Sequence, residues 1–229
     1  MIELKNCDYK DLLKDIKESS IDLLITDPPY CVSRDYQLGF SNMGRSGMNY
    51  GEWDYNFNQT EWINEVSSKI KAGGSIIIFN NWKNMSYITE ALENNNFIIK
   101  DLIRWEKLNP MPRNTNRRYV GDAEYAVWAV KPGKPWTFNK PEDVGYLRPK
   151  FEAGLVLGKN RIHPTQKPLN VIENLIKIHS NENDLICDLF AGSGVVGLAC
   201  KFLNRNFIGS EIEKEYYDKA VLTYDNQSN

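Results

Sequence analysis

One stretch, residues 184–211, constrains this chain more than any other. Asp184-Leu185-Ile186-Cys187-Asp188-Leu189-Phe190 is an apolar run of strand length. Ala191-Gly192-Ser193-Gly194 turns it, Gly194 to Leu203 is helical, and Asn206-Phe207-Ile208-Gly209-Ser210-Glu211 is a second strand that ends on an acid. Strand, glycine turn, helix and strand form one βαβ unit. Such a unit belongs to a mostly parallel sheet.

The rest of the chain follows the same alternation. Ile21 to Thr26 is a buried strand stopped by Asp27-Pro28-Pro29. Glu61 to Lys71 is expected to be helical, with Gly73-Gly74 breaking it before a strand at Ser75–Phe79. Ser86 to Asn94 is a helix closed by an Asn run. Phe97–Trp105 and Ala123–Val130 read as two strands in an antiparallel pair. Leu169–His179 and Glu213–Tyr224 are helices. Residues 31–51 carry four glycines and read as a long loop. Residues 131–167 are rich in Pro, Gly and basic residues and read as an insertion or a surface-binding segment.

The glycines of the βαβ unit let a ligand approach the backbone closely, and the strand end supplies a crevice. An acid closing the next strand can accept both ribose hydroxyl protons. Together these point to an adenosine-containing cofactor; the competing reading is a tight turn with no ligand. A nicotinamide dinucleotide fits badly, because only 18 residues follow Glu211 and no second mononucleotide half remains. There is no G-x-x-x-x-G-K-[ST] loop for a triphosphate.

Asp27-Pro28-Pro29-Tyr30 is the second chemical motif. Asp27 and the Pro28 carbonyl are acceptors in a fixed frame, and proline has no N–H to donate. Two acceptors can hold an NH₂ group and draw its lone pair out of conjugation. Tyr30 offers a flat face for a planar ring.

Charge and cysteine usage narrow the partners. Residues 100–167 hold fourteen Lys/Arg against seven Asp/Glu, a balance of +7 in a chain whose total is −2, so the remainder carries −9. A basic segment in an acidic chain suits a polyanion, with a solvated loop as the alternative. Cys7, Cys31, Cys187 and Cys200 are far apart and only His163 and His179 are present, so no metal site is expected. No run approaches ~20 apolar residues and the N-terminus has no apolar core, so neither a membrane span nor a secretory leader is expected, and the location expected is cytoplasmic.

Taken together, Asp27-Pro28-Pro29-Tyr30 and Phe190-x-Gly192-x-Gly194 resemble the amino-directed DNA methyltransferases that use S-adenosylmethionine. The order, catalytic motif first and cofactor motif last, resembles their permuted β group, and the likeness spans nearly the whole chain. It implies one Rossmann-like α/β methyltransferase domain over residues 1–229, with a mostly parallel sheet, an antiparallel hairpin and an inserted DNA target-recognition segment at about 109–161. His163-Pro164-Thr165-Gln166-Lys167-Pro168 resembles the family segment that helps bind the methionine end. Trp105-Glu106-Lys107-x-Asn109-Pro110 resembles the segment lining the base pocket, and Asp8 falls where the family contacts the cofactor's adenine. The implied cofactor set is Asp8, Lys167, Asp188, Phe190, Ala191, Gly192, Ser193, Gly194 and Glu211. Leu189 departs from the Pro of many members. The compact length and Asn109-Pro110-Met111-Pro112-Arg113 are most similar to small N6-adenine enzymes of the group.

The resemblance implies methyl transfer to the 6-amino group of adenine in double-stranded DNA, on a base taken out of the stack. Asp27, Pro28, Pro29 and Tyr30 are the expected catalytic residues. Tyr30 and Trp105 are the candidates to hold the base, core packing being the equal alternative for Trp105. Arg113, Arg117 and Arg118 are the foremost candidates for DNA contact. His163 reads as a turn residue rather than a proton shuttle. The nearest rival is the 4-amino group of cytosine, although in the family Asp at position 27 favours adenine and Ser favours cytosine. Protein-glutamine and RNA enzymes usually carry Asn there. A catalytically idle DNA-binding scaffold is the rival from another class. The carbon-5 cytosine route needs a Pro-Cys nucleophile, and here Cys31 follows Tyr30. A homodimer and a cognate restriction endonuclease complete the expected partners.

Overall fold

The computed structural model describes residues 1–31, 57–112, 115–117, 119–158 and 161–226. The elements are β1 (Ile2–Lys5), α1 (Tyr9–Asp15), β2 (Ile21–Thr26), α2 (Glu61–Ser67), β3 (Ile70–Asn80), α3 (Met85–Asn94), β4 (Ile98–Lys107), β5 (Ala123–Val130), β6 (Lys150–Ala153), α4 (Leu169–His179), β7 (Leu185–Asp188), α5 (Val195–Phe202), β8 (Asn206–Ser210) and α6 (Lys214–Asn226). A 3₁₀ turn, Trp82–Asn84, links β3 to α3.

The strands form one sheet in the order β1-β8-β7-β2-β3-β5-β4-β6. All neighbours are parallel except the two pairs made by β5, with β3 and with β4. This is the mostly parallel α/β sheet with an antiparallel element that the alternation and the resemblance imply.

Both faces of the sheet are covered, and the strand sequences show why. In β3, Ile76 and Ile78 pack on one side with Leu12, Trp62, Val66 and Leu92, from α1, α2 and α3. Ile77 and Phe79 pack on the other with Ile172, Ile176 and Ala199, from α4 and α5. Alternate side chains point to opposite faces, so a strand covered on both sides must be apolar throughout, as Ser75–Phe79 nearly is.

Two local expectations change. Helix α2 stops at Ser67, and Gly73-Gly74 lie inside β3 rather than ahead of it. The Gly73 N–H donates to the Lys131 carbonyl at 2.8 Å, and the Lys131 N–H donates to the Gly74 carbonyl at 2.9 Å. Gly73 has φ of +81°, and a Cβ there would stand 2.6 Å from the Pro135 carbonyl oxygen. The glycines are a close-packed irregularity of the ladder. Ile21 pairs with Ile70 but Leu23 with Ser75, so β3 carries three extra residues across this point. The second change is β6. It lies in the stretch read as irregular, yet it pairs in parallel with β4 at the sheet edge.

Candidate active site

The site follows from the sheet order. β2 and β7 are adjacent and parallel, with Leu23 beside Ile186 and Leu24 beside Cys187. Asp27-Pro28-Pro29-Tyr30 and the glycine turn therefore leave the same edge of the sheet side by side. Ligands of open α/β sheets bind in the crevice at the carboxyl ends of the strands. Here that crevice is a cavity of about 840 Å³, lined among others by Asp8, Asp27, Pro28, Pro29, Tyr30, Trp105, Glu124, Phe190, Gly192 and Glu211. Sequence positions from 8 to 211 converge on one chamber.

Asp27 is clamped on both oxygens. The Tyr30 hydroxyl donates to Oδ1, and the Lys167 ammonium donates to Oδ2. Lys167 is only 3% exposed and also pairs with Glu124 Oε2 at 3.2 Å. Glu124 Oε1 in turn meets Lys107 Nζ at 2.9 Å. Burial pushes the Asp27 carboxyl up; Lys167 pulls it back, Glu124 adds to the rise, and it stays above the ordinary range. Glu124 is also pushed up by burial, but Lys167 and Lys107 outweigh this and hold it below the ordinary range. Burial opposes the charge on Lys167, and Asp27 with Glu124 outweighs it. The ammonium keeps its proton, and Asp27 is the more easily protonated of the two acids. The sequence reading missed Glu124; an acid in an apolar strand next to a basic-aromatic segment was the available signal.

The second half of the chamber is the glycine turn. Gly192 and Gly194 have φ of +52° and +72°, in the left-handed region that favours glycine. A Cβ on Gly194 would come within 2.6 Å of the Tyr224 hydroxyl, which donates to the Gly194 carbonyl at 2.7 Å. Glu211 accepts the Gly192 N–H at 2.7 Å on one oxygen and the Glu213 N–H at 2.8 Å on the other. Burial raises its pKa. Asp188 Oδ1 accepts from the Thr26 hydroxyl at 2.7 Å and the Phe190 N–H at 3.1 Å, and burial pushes its carboxyl up to about 7.

The expected cofactor residues divide by position. Asp8, Phe190, Gly192 and Glu211 line the large cavity. Phe190 and Gly192 also line a smaller cavity of about 40 Å³, which Lys167, Asp188, Ala191 and Ser193 share with Thr26, Asp27 and His163. Gly194 lines neither; it turns the chain into α5. Asp8 also caps α1, accepting the Lys10 N–H at 2.8 Å. The Phe190 ring sits against Tyr9 at 5.3 Å, Phe57 at 5.3 Å and Trp62 at 5.6 Å.

Trp105 is 1% exposed and its Nε1 donates to the Ala153 carbonyl at 3.1 Å, so packing accounts for most of its surface. One edge still lines the cavity. His163 stacks edge-on against Tyr216 at 4.3 Å, and its Nδ1 lies 3.1 Å from the Thr165 hydroxyl. Burial, with Lys167 and Arg161 nearby, lowers its pKa to about 4, so it is neutral at pH 7. Arg117 is exposed. Arg113, Arg118 and all but the first residue of the loop expected at 31–51 lie outside the described residues. Among the described residues, no group of three His, Cys, Asp or Glu side chains could hold a metal, and no helix is long and apolar enough to cross a membrane.

S-Adenosylmethionine fits this chamber. It carries a flat adenine, a ribose diol and a charged amino-acid end. The Phe190–Tyr9–Phe57 cluster offers apolar ring surface, and Asp8 and Glu211 place two carboxylates on the same cavity. Asp188 and Lys167 provide both charge types in the adjoining smaller cavity.

Comparison with known proteins agrees with this chemistry. A family model described as DNA methylase matches residues 21–222. The type II methyltransferase M2.MboI of Moraxella bovis is 35% identical over 234 residues, covering 93% of this chain and 84% of that protein. M2.DpnII of Streptococcus pneumoniae is 32% identical over 253 residues, covering 99% and 91%. The crystal structure of the M1.HpyAVI–SAM complex superposes with a TM-score of 0.78 at 41% identity, over 97% of this chain and all of that one. The cytosine-N4-specific PvuII DNA methyltransferase gives a TM-score of 0.76 at 18% identity, over 96% and 85%, a likeness of fold alone.

Proposed function

The chain belongs to the N6/N4 family of DNA methylases and is an S-adenosylmethionine-dependent DNA methyltransferase; from that premise we propose that its target is the 6-amino group of adenine within a specific double-stranded sequence. The Asp27 carboxylate, held by Lys167 and Tyr30 on the cavity wall beside the glycine turn, supports the reading as far as an exocyclic aromatic amine, and an aspartate at this position, which the family resemblance associates with adenine, supports the choice of base. An aspartate is an acceptor that also takes up positive charge, which suits a weakly nucleophilic aromatic amine.

The cofactor supplies an electrophilic methyl group on a positively charged sulfur. Asp27 accepts one N–H of the target amine, and the Pro28 carbonyl accepts the other. The nitrogen lone pair then points out of the ring plane, toward the methyl carbon. As the N–C bond forms and the C–S bond breaks, positive charge grows on nitrogen, and the Asp27 carboxylate stabilises it. The surplus proton leaves nitrogen for Asp27 and then for water. Tyr30 holds the flipped ring, with one edge of Trp105 beside it, and both acceptors are fixed before the base arrives. Glu211 takes the ribose hydroxyls, the Phe190 cluster and Asp8 take the adenine, and Asp188 with Lys167 and the Ala191–Gly194 turn frames the amino-acid end. The basic stretch at about 109–161, with Arg113, Arg117 and Arg118, forms the target-recognition segment. The enzyme acts in the cytoplasm beside a cognate restriction endonuclease and forms a homodimer.

Methylation-sensitive long-read sequencing of DNA treated with the purified enzyme tests this. N6-methyladenine confined to one short sequence is the expected result. 4-Methylcytosine would transfer the reading to cytosine, for which the same acceptor pair would serve. No modified base at all would leave a DNA-binding scaffold.

A further inference from the structure

The backbone that follows Asp27 has no sheet ladder to hold it. β2 ends at Thr26, and Pro28 and Pro29 have no N–H. Three side-chain amides stand in for the ladder. Gln59 Nε2 donates to the Pro29 carbonyl at 2.7 Å, and Asn84 Nδ2 donates to the Tyr30 carbonyl at 3.0 Å. Asn80, 1% exposed at the carboxyl end of β3, joins the two. Its Nδ2 donates to Gln59 Oε1 at 2.8 Å, and its Oδ1 accepts from Asn84 Nδ2 at 2.8 Å and from the Asn81 N–H at 2.8 Å.

Only one orientation of the three amides satisfies every contact. The Pro29 and Tyr30 carbonyls can only accept, so Gln59 and Asn84 must turn nitrogen toward them. Gln59 then presents oxygen to Asn80, which must answer with nitrogen. The Asn80 oxygen is left for the Asn81 N–H, which can only donate. Each amide thereby fixes the next.

We infer that Gln59, Asn80 and Asn84 are positioning residues for methyl transfer, which aim the Pro28 carbonyl at the target amine by pinning the two carbonyls after it. The inference rests on the proposed role of the Asp27–Tyr30 segment. At Pro28 and Pro29 the rings lock φ, and the residue before a proline is confined to extended ψ. The Pro28–Pro29 unit is therefore stiff within itself but free to swing as a body, and the Gln59 bond to the Pro29 carbonyl ties its far end to the fold, which holds the Pro28 carbonyl in place. Among the described residues nothing donates to the Pro28 carbonyl, which lies between the fixed Asp27 and the pinned Pro29 on the cavity wall. The amides occupy the Pro29 and Tyr30 carbonyls, leave the Pro28 carbonyl available, and hold it in place.

The test uses Gln59→Met, Asn84→Leu and Asn80→Leu in the full chain, with Asp27→Ala beside them. Turnover, KM for target duplex, cofactor affinity by calorimetry and Tm are measured on each. Gln59→Met and Asn84→Leu remove one partly buried donor each, so they report even if Asn80→Leu does not fold. The expected result is a kcat lowered about 10- to 100-fold, the scale of a misplacement near 1 Å, with KM, cofactor affinity and Tm close to wild type. Gln59→Glu keeps an acceptor for Asn80 but turns a carboxylate on the Pro29 carbonyl, and its kcat should fall at least as far. A kcat within threefold of wild type in folded Gln59→Met and Asn84→Leu overturns the inference. So does a loss shared equally by kcat, KM and cofactor affinity, which is the mark of general unfolding. If Asp27→Ala itself retains turnover, the reading of the whole segment fails instead.

Discussion

Two strand ends lie side by side in this sheet, and they are held in different ways. The turn after β7 is fixed mostly from within its own βαβ unit, with one bond from the helix that follows it. Phe190 bonds to Asp188 two residues away, Gly192 to Glu211 nineteen away, and Gly194 to Tyr224 thirty away. The segment after β2 is fixed by elements outside any such unit. Gln59 reaches it across 30 positions, Asn84 across 54 and Lys167 across 140. The proposed cofactor half is a supersecondary unit that carries much of its own support, although Thr26 donates to Asp188 from β2 and Tyr9, Phe57 and Trp62 pack on Phe190. The proposed catalytic half is complete only once β3, β5 and the segment before α4 are in place. Substitutions in the first should disturb a ligand and its local turn, whereas substitutions in the second should disturb rate with little change in binding.

Asp27→Ala is the strongest test of that separation. Turnover should fall about a hundred- to a thousandfold, the scale of losing a transition-state hydrogen-bond partner, while cofactor affinity stays within about twofold. Turnover within tenfold of wild type would remove Asp27 from the mechanism.

Lys167→Met sharpens the comparison, because Lys167 belongs to the cofactor segment by resemblance and to Asp27 by contact. Removing it leaves two half-buried carboxylates, Asp27 and Glu124, without their shared cation. Breaking a fully buried pair costs about 3–5 kcal/mol, an upper bound for these partly exposed acids. Lys167 lowers the pKa of Asp27 against burial, so its loss should raise that pKa further. Since Asp27 must be ionised to accept the amine protons, the acid limb of the kcat profile should move to higher pH, and activity should recover as pH rises. A limb that stays in place, with cofactor affinity lost instead, would return Lys167 to the cofactor half.

Glu211→Ala should weaken S-adenosylmethionine by about 1.5–3 kcal/mol, the range for hydrogen bonds to a charged group. It should also lower Tm, because the Gly192 and Glu213 amides lose their acceptor. Equal cofactor affinity by calorimetry would remove Glu211 from the ribose site.

Asp188→Asn carries the smallest effect. In the fold the carboxyl is pushed up to about 7 from 3.8, so the folded state binds its proton more tightly than the unfolded state. That stability is fully present below about pH 4 and is lost as pH rises through 7. The Asn variant keeps an oxygen for Thr26 and Phe190 and has no charge to bury. Its Tm should match wild type near pH 4 and exceed it near pH 8, by about 1–3 kcal/mol in stability. Melting curves across that range, without cofactor, decide it; equal Tm values at pH 8 would mean that Asp188 is ionised without penalty.

These differences follow how much of each half could be read before the fold was known. The glycine turn from Phe190 to Gly194 and the acid Glu211 were legible because a βαβ unit places them, whereas Asp188 entered only through the family resemblance. Asp27 and its prolines were legible as chemistry. Their holders were not, since Gln59, Asn84 and Glu124 are ordinary polar residues in ordinary elements. The Gly73-Gly74 pair misled because a glycine pair stops a helix and loosens a ladder with equal ease, and only the approach of Pro135 tells which. β6 was missed because a four-residue edge strand has too few residues for a period to emerge.

By itself the sequence determined the alternating α/β class, the apolar strands buried on both faces, the glycine turn with its closing acid, and the acceptor motif at Asp27. Those properties rest on interactions within a few residues or on the chemistry of single side chains. The tertiary structure decided which strand lies beside which, and so brought Asp27 to the glycine turn, gave Asp27 a buried lysine shared with Glu124, and put three amides behind two prolines. Contacts between distant positions depend on strand order and register, which no local pattern encodes.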